Sequence, residues 1–273
     1  MTRPEPLFLS GSAGPLFALY VPAAGPGGRG VLVIPPLAEE MNLARRILRR
    51  QAAALAAVGI AALLLDPFGT GDSAGDFAEA RWKIWLADVQ VGAAALAARG
   101  VRQIGLFGIR FGALLAAAGA PGLASPCFAT VLWQPVLHGR SQLDELLRLG
   151  MLGAVSHGRR PMTVETARSS LAAGNPVEVA GYEIAPALAR ALTALDLAGF
   201  PDKALGRIAW FDIGRDPAPP VLALRAECIA LWMAHGLPVE RRSFPGPAFW
   251  ALPGSAAAPA LIAATTAAFA AEP

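Results

Sequence analysis

The stretch from Ile104 to Ala120 reads IGLFGIRFGALLAAAGA: a short apolar run, a Gly-x-x-x-Gly turn at Gly108 and Gly112, and an Ala/Leu helix pattern. No other part of the chain restricts its fold as tightly. Flanking glycines of this spacing let a buried strand and the following helix approach at a sharp turn. The central residue, Arg110, is then projected at the helix N-terminus with its side chain exposed. A strand that passes at once into a helix is the unit of a parallel sheet, whose neighbouring strands need a crossover connection.

The same rhythm runs through the chain. Runs of strand character occur at 7–9 and 16–21, joined by the turn Gly11-Ser12-Ala13-Gly14, and at 30–34, 60–65, 103–107, 128–133, 207–212 and 239–244. Helical patterns near 41–57, 79–98, 218–234 and 257–270 alternate with them. The pattern predicts an α/β protein with a mostly parallel eight-stranded sheet and helices on both faces. Residues 138–206 break the rhythm with three helical patterns, 142–152, 163–171 and 184–195, and Gly/Pro turns such as Gly174-Asn175-Pro176. We read this segment as a helical cap inserted in a core domain made of residues 1–137 and 207–273. That position sets it over the carboxyl ends of the strands, where open α/β sheets bind ligands.

Composition narrows the function classes. With 273 residues, 55% hydrophobic and 16% charged, the chain is long and apolar enough for one large core, which excludes global disorder. The net charge is +3, and the paired arginines Arg45/Arg46, Arg49/Arg50, Arg159/Arg160 and Arg241/Arg242 are dispersed. They read as solvated helix faces, and a nucleic-acid partner is not expected. The N-terminal stretch has no apolar signal core, and neither 52–65 nor 256–271 reaches a spanning length of roughly 18 residues. A cytoplasmic protein without a membrane span is expected. The two cysteines, Cys127 and Cys228, lie too far apart in sequence for a paired metal or redox motif, so both read as inert thiols, and neither metal nor cofactor is expected.

Two further segments carry chemistry. After the run at 60–65 comes Asp66-Pro-Phe-Gly69-Thr-Gly71-Asp72-Ser73-Ala-Gly75, with the form D-x-x-G-x-G-x-S-x-G. Gly69, Gly71 and Ala74 formally satisfy a dinucleotide fingerprint, but the next helix starts several residues late and Asp72 would repel a pyrophosphate, so that reading is rejected. After the run at 30–34 comes Pro35-Pro36-Leu-Ala-Glu39-Glu40-Met-Asn42-Leu-Ala-Arg45-Arg46. Together with the Trp82/Trp85 pair, GIRFG and LWQPVLHGR, these segments resemble the second type of exosortase A system-associated hydrolase, most strongly from 30 to 140. The resemblance implies an α/β-hydrolase fold and a setting beside bacterial exopolysaccharide and protein-sorting systems. It also implies that 36–42 stands where such proteins supply half of an oxyanion hole, and that the elbow with Arg in place of Ser is a feature of the group.

Arginine at the elbow changes the chemistry. Its guanidinium stays protonated and its lone pairs are delocalised, so it is no acyl-accepting nucleophile. A triad would also need an acid after the run at 207–212, where Asp212 and Asp216 stand, and a histidine after Phe244, where the chain reads Pro-Gly-Pro-Ala-Phe249-Trp250. His138, His157 and His235 all lie elsewhere. A cation at a helix N-terminus opposes the macrodipole and requires an anionic partner, for which Glu39 and Glu40 are the nearest candidates by topology. Two function classes follow. In one, the chain is a hydrolase without a serine, with Glu39 or Glu40 moving the proton and Arg110 steadying an oxyanion or phosphate. In the other, it is a pseudoenzyme that binds an anionic sugar or lipid-linked ligand. Substrate contacts are expected from Pro36, Asn42, Arg46 and Trp250 in either case. Trp82 and Trp85 share a helical face and read as packing residues.

Overall fold

In the computed structural model, residues 3–25, 28–156, 162–214, 223–252 and 258–271 are described, with 151–156 as backbone only. Eight strands form one sheet: β1 (Glu5–Ser10), β2 (Pro15–Val21), β3 (Arg29–Ile34), β4 (Ile60–Leu65), β5 (Gln103–Ile109), β6 (Ala129–Trp133), β9 (Arg207–Gly214) and β10 (Val239–Pro245). Their spatial order is β1-β2-β4-β3-β5-β6-β9-β10. β2 runs antiparallel to both neighbours, and every other pair is parallel. The central strands β3, β5 and β6 are buried on both faces, which explains why they read as continuous apolar runs.

Helices α1 (Glu39–Ala57) and α8 (Pro259–Ala270) cover one face, and α2 (Trp82–Ala97), α3 (Phe111–Gly119) and α7 (Ala223–Ala234) pack into the core on the other. In α1 the buried residues Met41, Ala44, Ile47, Leu48, Gln51, Ala52, Leu55 and Ala56 recur at helical spacing. Glu39 and Glu40 in its first turn complement the dipole, and Gly59, at φ 79°, ends it in the left-handed conformation that glycine adopts freely. At the opposite end of the sheet, Arg29 of β3 donates to the carbonyls of Phe269, Ala270 and Ala271, and Arg207 of β9 also donates to that of Ala271. The last carbonyls of α8 are thereby satisfied by two strands distant in sequence.

The segment expected as a purely helical cap contains α4 (Gly139–Ser156), α5 (Val164–Ala172) and α6 (Pro186–Thr193), and also a two-stranded hairpin, β7 (Val177–Val179) with β8 (Tyr182–Ile184). The hairpin corrects the sequence reading. Its strands have three residues each and turn at Ala180 (φ 47°) and Gly181 (φ 87°), too short to show a period of two. The two ends of the segment are tied together where Leu197 N–H donates to Leu137 C=O and Gly139 N–H to Leu195 C=O. His157, Asp216, the start of the expected 218–234 helix and residue 257 lie outside the described residues. Among the described residues, no helix is long and apolar enough to cross a membrane.

The strand-to-helix turn is built as its glycines require. A Cβ on Gly112 would stand 2.3 Å from the Ile34 carbonyl oxygen and 2.4 Å from that of Pro35, and one on Gly108 would stand 2.6 Å from Ala113 Cα. Both obstacles are backbone. Gly112→Ala is therefore expected to cost at least about 2 kcal/mol in urea denaturation, the range of overpacked cores. A second buried strain point lies in α2, where Asp88 accepts the Phe68 N–H at 2.8 Å while its other oxygen has no hydrogen-bond partner among the described residues. Burial pushes its carboxyl from 3.8 up to about 6. Folding favours the protonated form, so this group's stabilisation is full below pH 3.8 and lost as pH rises through about 6. Thermal melts should show the wild type losing ground to Asp88→Asn across that window.

Candidate functional site

The site grows from the turn at the carboxyl end of β5. Arg110 sits between β5 and α3 with φ 54° and ψ −119°, a conformation that L residues rarely adopt. Its backbone is fixed on both sides: the N–H donates to Trp133 C=O at 2.9 Å, and the C=O accepts from Ala113 N–H at 3.1 Å. Across the turn, Ala38 has nearly the same conformation, φ 54° and ψ −128°, immediately before α1. Strained residues of this kind cost of order 1–3 kcal/mol each, and they cluster at functional sites.

The Arg110 guanidinium is buried and bonded to two carboxylates. Its Nε lies 3.3 and 3.4 Å from the two oxygens of Glu40, and Nη2 lies 3.2 Å from Glu40 Oε1. Nη2 also donates to Glu145 of α4, whose side chain is 44% exposed against 8% for Glu40. Burial raises the Glu40 carboxyl above its ordinary range, against the opposing effect of Arg110. Gln142, one helical turn before Glu145, is buried beside Glu40, yet neither of its amide atoms has a hydrogen bond of good geometry. The Trp250 ring packs over the guanidinium, with the ring centre 5.4 Å from Cζ. Trp82 and Trp85 form edge-to-face contacts with Phe111, the residue after Arg110, and Trp85 Nε1 donates to Phe68 C=O.

The other expected residues separate. Glu39 turns away from Arg110 and accepts from Asn42 Nδ2, which also donates to the Tyr182 hydroxyl, each at 3.0 Å. Adjacent residues on a helix point about 100° apart, so with α1 beginning at Glu39 rather than near residue 41 only one of the two glutamates faces the turn. Pro36 is buried in the β3–α1 loop, and Arg46 is exposed on α1 away from Arg110. His138 contacts Asp196 at 3.4 Å, and His235 Nδ1 lies 2.8 Å from the Leu231 carbonyl at the end of α7.

Asp212, at the expected acid position, is buried and bonded by Arg225 Nη1 at 2.8 Å, Arg241 Nε at 2.7 Å and Trp210 Nε1 at 3.2 Å. Burial and the nearby Arg110 charge lower the Arg225 guanidinium, partly offset by Asp212. Glu145, Gln142 and Arg225 carry no sequence signal of their own, and Arg241, expected on a solvated helix face, lies in β10 and bonds Asp212. The one available signal was that Arg110 needs anions and that the 138–206 segment places Asp144-Glu145 above the strand ends. The Asp66 loop is held internally, since Asp66 accepts from Arg45 Nη2 at 2.8 Å and from Asp72 N–H at 3.0 Å. Both cysteine thiols are buried and pushed up to about 12. Among the described residues, no three His, Cys, Asp or Glu side chains stand close enough together to hold a metal ion.

The strained turn, its glycines and the sheet order match a known architecture. No protein-family model matches the chain, and neither does any curated protein sequence. Solved structures do. The ferulic-acid-bound Est1E from Butyrivibrio proteoclasticus has a TM-score of 0.65 at 16% identity, over 97% of this chain and 96% of that one. The chain has the α/β-hydrolase fold. A putative hydrolase from Agrobacterium vitis is similar at TM-score 0.62 and 18% identity, covering 98% and 97% of the two chains. XC6422 from Xanthomonas campestris, described as an α/β serine hydrolase without lid, follows at 0.52 and 15%, covering 98% and 93%. In this α/β-hydrolase fold the elbow residue is Arg110, and Trp250 stands over it in the loop after β10.

A double-mutant cycle tests the ion pair. Arg110→Met alone should cost about 3–5 kcal/mol in urea denaturation, because it leaves the buried Glu40 charge unpaired; Glu40→Leu, which leaves Arg110 its bond to Glu145, should cost less, and the double variant should cost less than Arg110→Met. Glu145→Gln, at a half-exposed partner, should stay within about 1 kcal/mol.

Proposed function

We propose that this chain is a non-catalytic member of the α/β-hydrolase fold that binds an anionic ligand at Arg110. The observation that carries the reading is the unequal pair of carboxylates on one guanidinium: Glu40 is buried, whereas Glu145 is half-exposed on α4. Segment 138–206 acts as a cap in this reading, and Glu145 occupies the place that a ligand carboxylate or phosphate takes when α4 shifts. The exchange preserves charge balance, since one anion replaces another on the same donor. Bidentate recognition by a planar guanidinium suits a uronate or a phosphate. The resemblance to exosortase-associated hydrolases adds a setting beside exopolysaccharide assembly, which suits an anionic sugar or a lipid-linked ligand.

The residues around Arg110 support binding over acyl transfer. The elbow has no hydroxyl, the loop after β10 presents Trp250 instead of histidine, and both oxygens of Asp212 are engaged by arginines. A second reading, hydrolysis by direct attack of water, is favoured by one observation: burial raises the Glu40 carboxyl, the direction expected of a group that must hold and release a proton near neutrality.

One experiment separates them. Purified protein is titrated with glucuronate and glucose 1-phosphate by calorimetry, and assayed in parallel on p-nitrophenyl acetate, butyrate and octanoate and on phosphate and sugar esters. Binding is expected in the wild type, abolished by Arg110→Ala and strengthened up to about tenfold by Glu145→Gln, which removes the competing carboxylate. Turnover in the wild type that is lost in both Arg110→Ala and Glu40→Gln would replace this proposal with the hydrolytic reading. Binding indifferent to Arg110 would overturn both.

A further inference from the structure

The sheet face that carries α1 and α8 is covered only in part. The register aligns Pro6, Leu19, Leu64 and Val33 in one row across β1, β2, β4 and β3. Val33 is buried, Leu64 and Leu19 are half-buried and Pro6 is exposed, so the apolar row emerges from beneath α1 towards the sheet edge. In the next row Phe8, 69% exposed, packs edge-on against Phe17 with ring centres 5.7 Å apart. The helix wall facing these residues is basic, with Arg46 and Arg49 exposed on α1. Floor and wall enclose an open groove of about 940 Å³. Arg45 and Asp66 also line it but bond each other at 2.8 Å, and among the described residues no other acidic side chain lines it.

We propose that this groove binds a single-chain anionic lipid, with the acyl chain along Phe17, Leu19 and Leu64 and the acidic head on Arg46 and Arg49. An apolar floor beside a cationic wall matches an amphiphile with both characters. A purely apolar partner would leave the arginines unmatched, and a polyanion would gain nothing from the phenylalanine and leucines. The volume lies within the usual range of ligand sites. The lining runs along α1 from Asn42 to Ala57, roughly 22 Å at helical rise, enough for a long acyl chain. The groove and the Arg110 site use opposite sides of α1, so this inference does not depend on the proposed role of Arg110.

Calorimetric titration of the full chain with laurate, below its micellar range, tests the proposal. Saturable binding of one laurate is expected, weakened at least about tenfold by Arg46→Glu/Arg49→Glu. It should also be blocked by Ala53→Trp, which fills the groove from an exposed position without disturbing the core. Laurate binding that is lost in Arg110→Ala but kept in Arg46→Glu/Arg49→Glu would place the ligand at the elbow and overturn the proposal. Acetate, which lacks the tail, and dodecyl maltoside, which lacks the charge, should not bind. The proposal is overturned by the absence of saturable laurate binding, or by equal binding in the arginine and tryptophan variants with circular dichroism unchanged. It is likewise overturned if phosphatidylglycerol vesicles are bound but monomeric laurate is not, or if sedimentation shows a dimer that Ala53→Trp dissociates, since a second copy would then cover the groove.

Discussion

The pairing of Arg110 with Glu40 is the constraint around which this molecule is arranged. Arg110 stands at the positive end of α3, where its charge is unfavourable, whereas Glu40 stands in the first turn of α1, where its charge is favourable. Burying both leaves Glu40 dependent on Arg110, because its charge has no water to fall back on, while Arg110 has Glu145 as a second anion. The pair holds only if α1 begins within a side chain's reach of the elbow. The contact of Gly112 with the Ile34 and Pro35 carbonyls sets that distance, pressing the β3–α1 loop against the turn. A steric requirement at one glycine thus fixes an electrostatic partnership seventy positions apart in the sequence.

The turn at Arg110 has the backbone of a nucleophile elbow with arginine at its centre. Arg110 retains a conformation that costs energy, and the Phe111 side chain beneath it is held by two tryptophans. Around it the charges have been redistributed: Asp212 is bonded by Arg225 and Arg241, and Arg110 by Glu40 and Glu145. Three guanidinium groups and three carboxylates stand together at the carboxyl end of the sheet. Among these carboxylates only Glu145 is substantially exposed to solvent, while Glu40 and Asp212 are buried.

Most of the fold was legible because central parallel strands are apolar on both faces and glycines mark the turn that links β5 to α3. All eight sheet strands fall where the apolar runs suggested, including the opening hairpin around Gly11 to Gly14. The β7–β8 hairpin was not legible, since two three-residue strands leave no periodicity to read. At the candidate site, the need of Arg110 for an anion could be read from charge and dipole alone. The choice between Glu39 and Glu40 could not, because it depends on the residue at which α1 starts. The engagement of Asp212 by Arg225 and Arg241 was hidden for a different reason: the arginines come from α7 and β10, and only the folded sheet brings them to one carboxylate.

The attachment of α8 has a consequence for how the chain must be made. Phe269 packs over Gly105 in the middle of the sheet, Trp133 donates to Thr265, and the helix's last carbonyls are bonded by arginines from β3 and β9. The central strands therefore complete one of their two apolar faces with residues that are synthesised long after them. Contacts spanning nearly the whole chain are slow to form because a long loop must close first. A growing polypeptide of this sequence has α1 but not α8 on that face of β3, β5 and β6 until α8 emerges, a period in which a holding chaperone has a partly uncovered apolar surface to recognise.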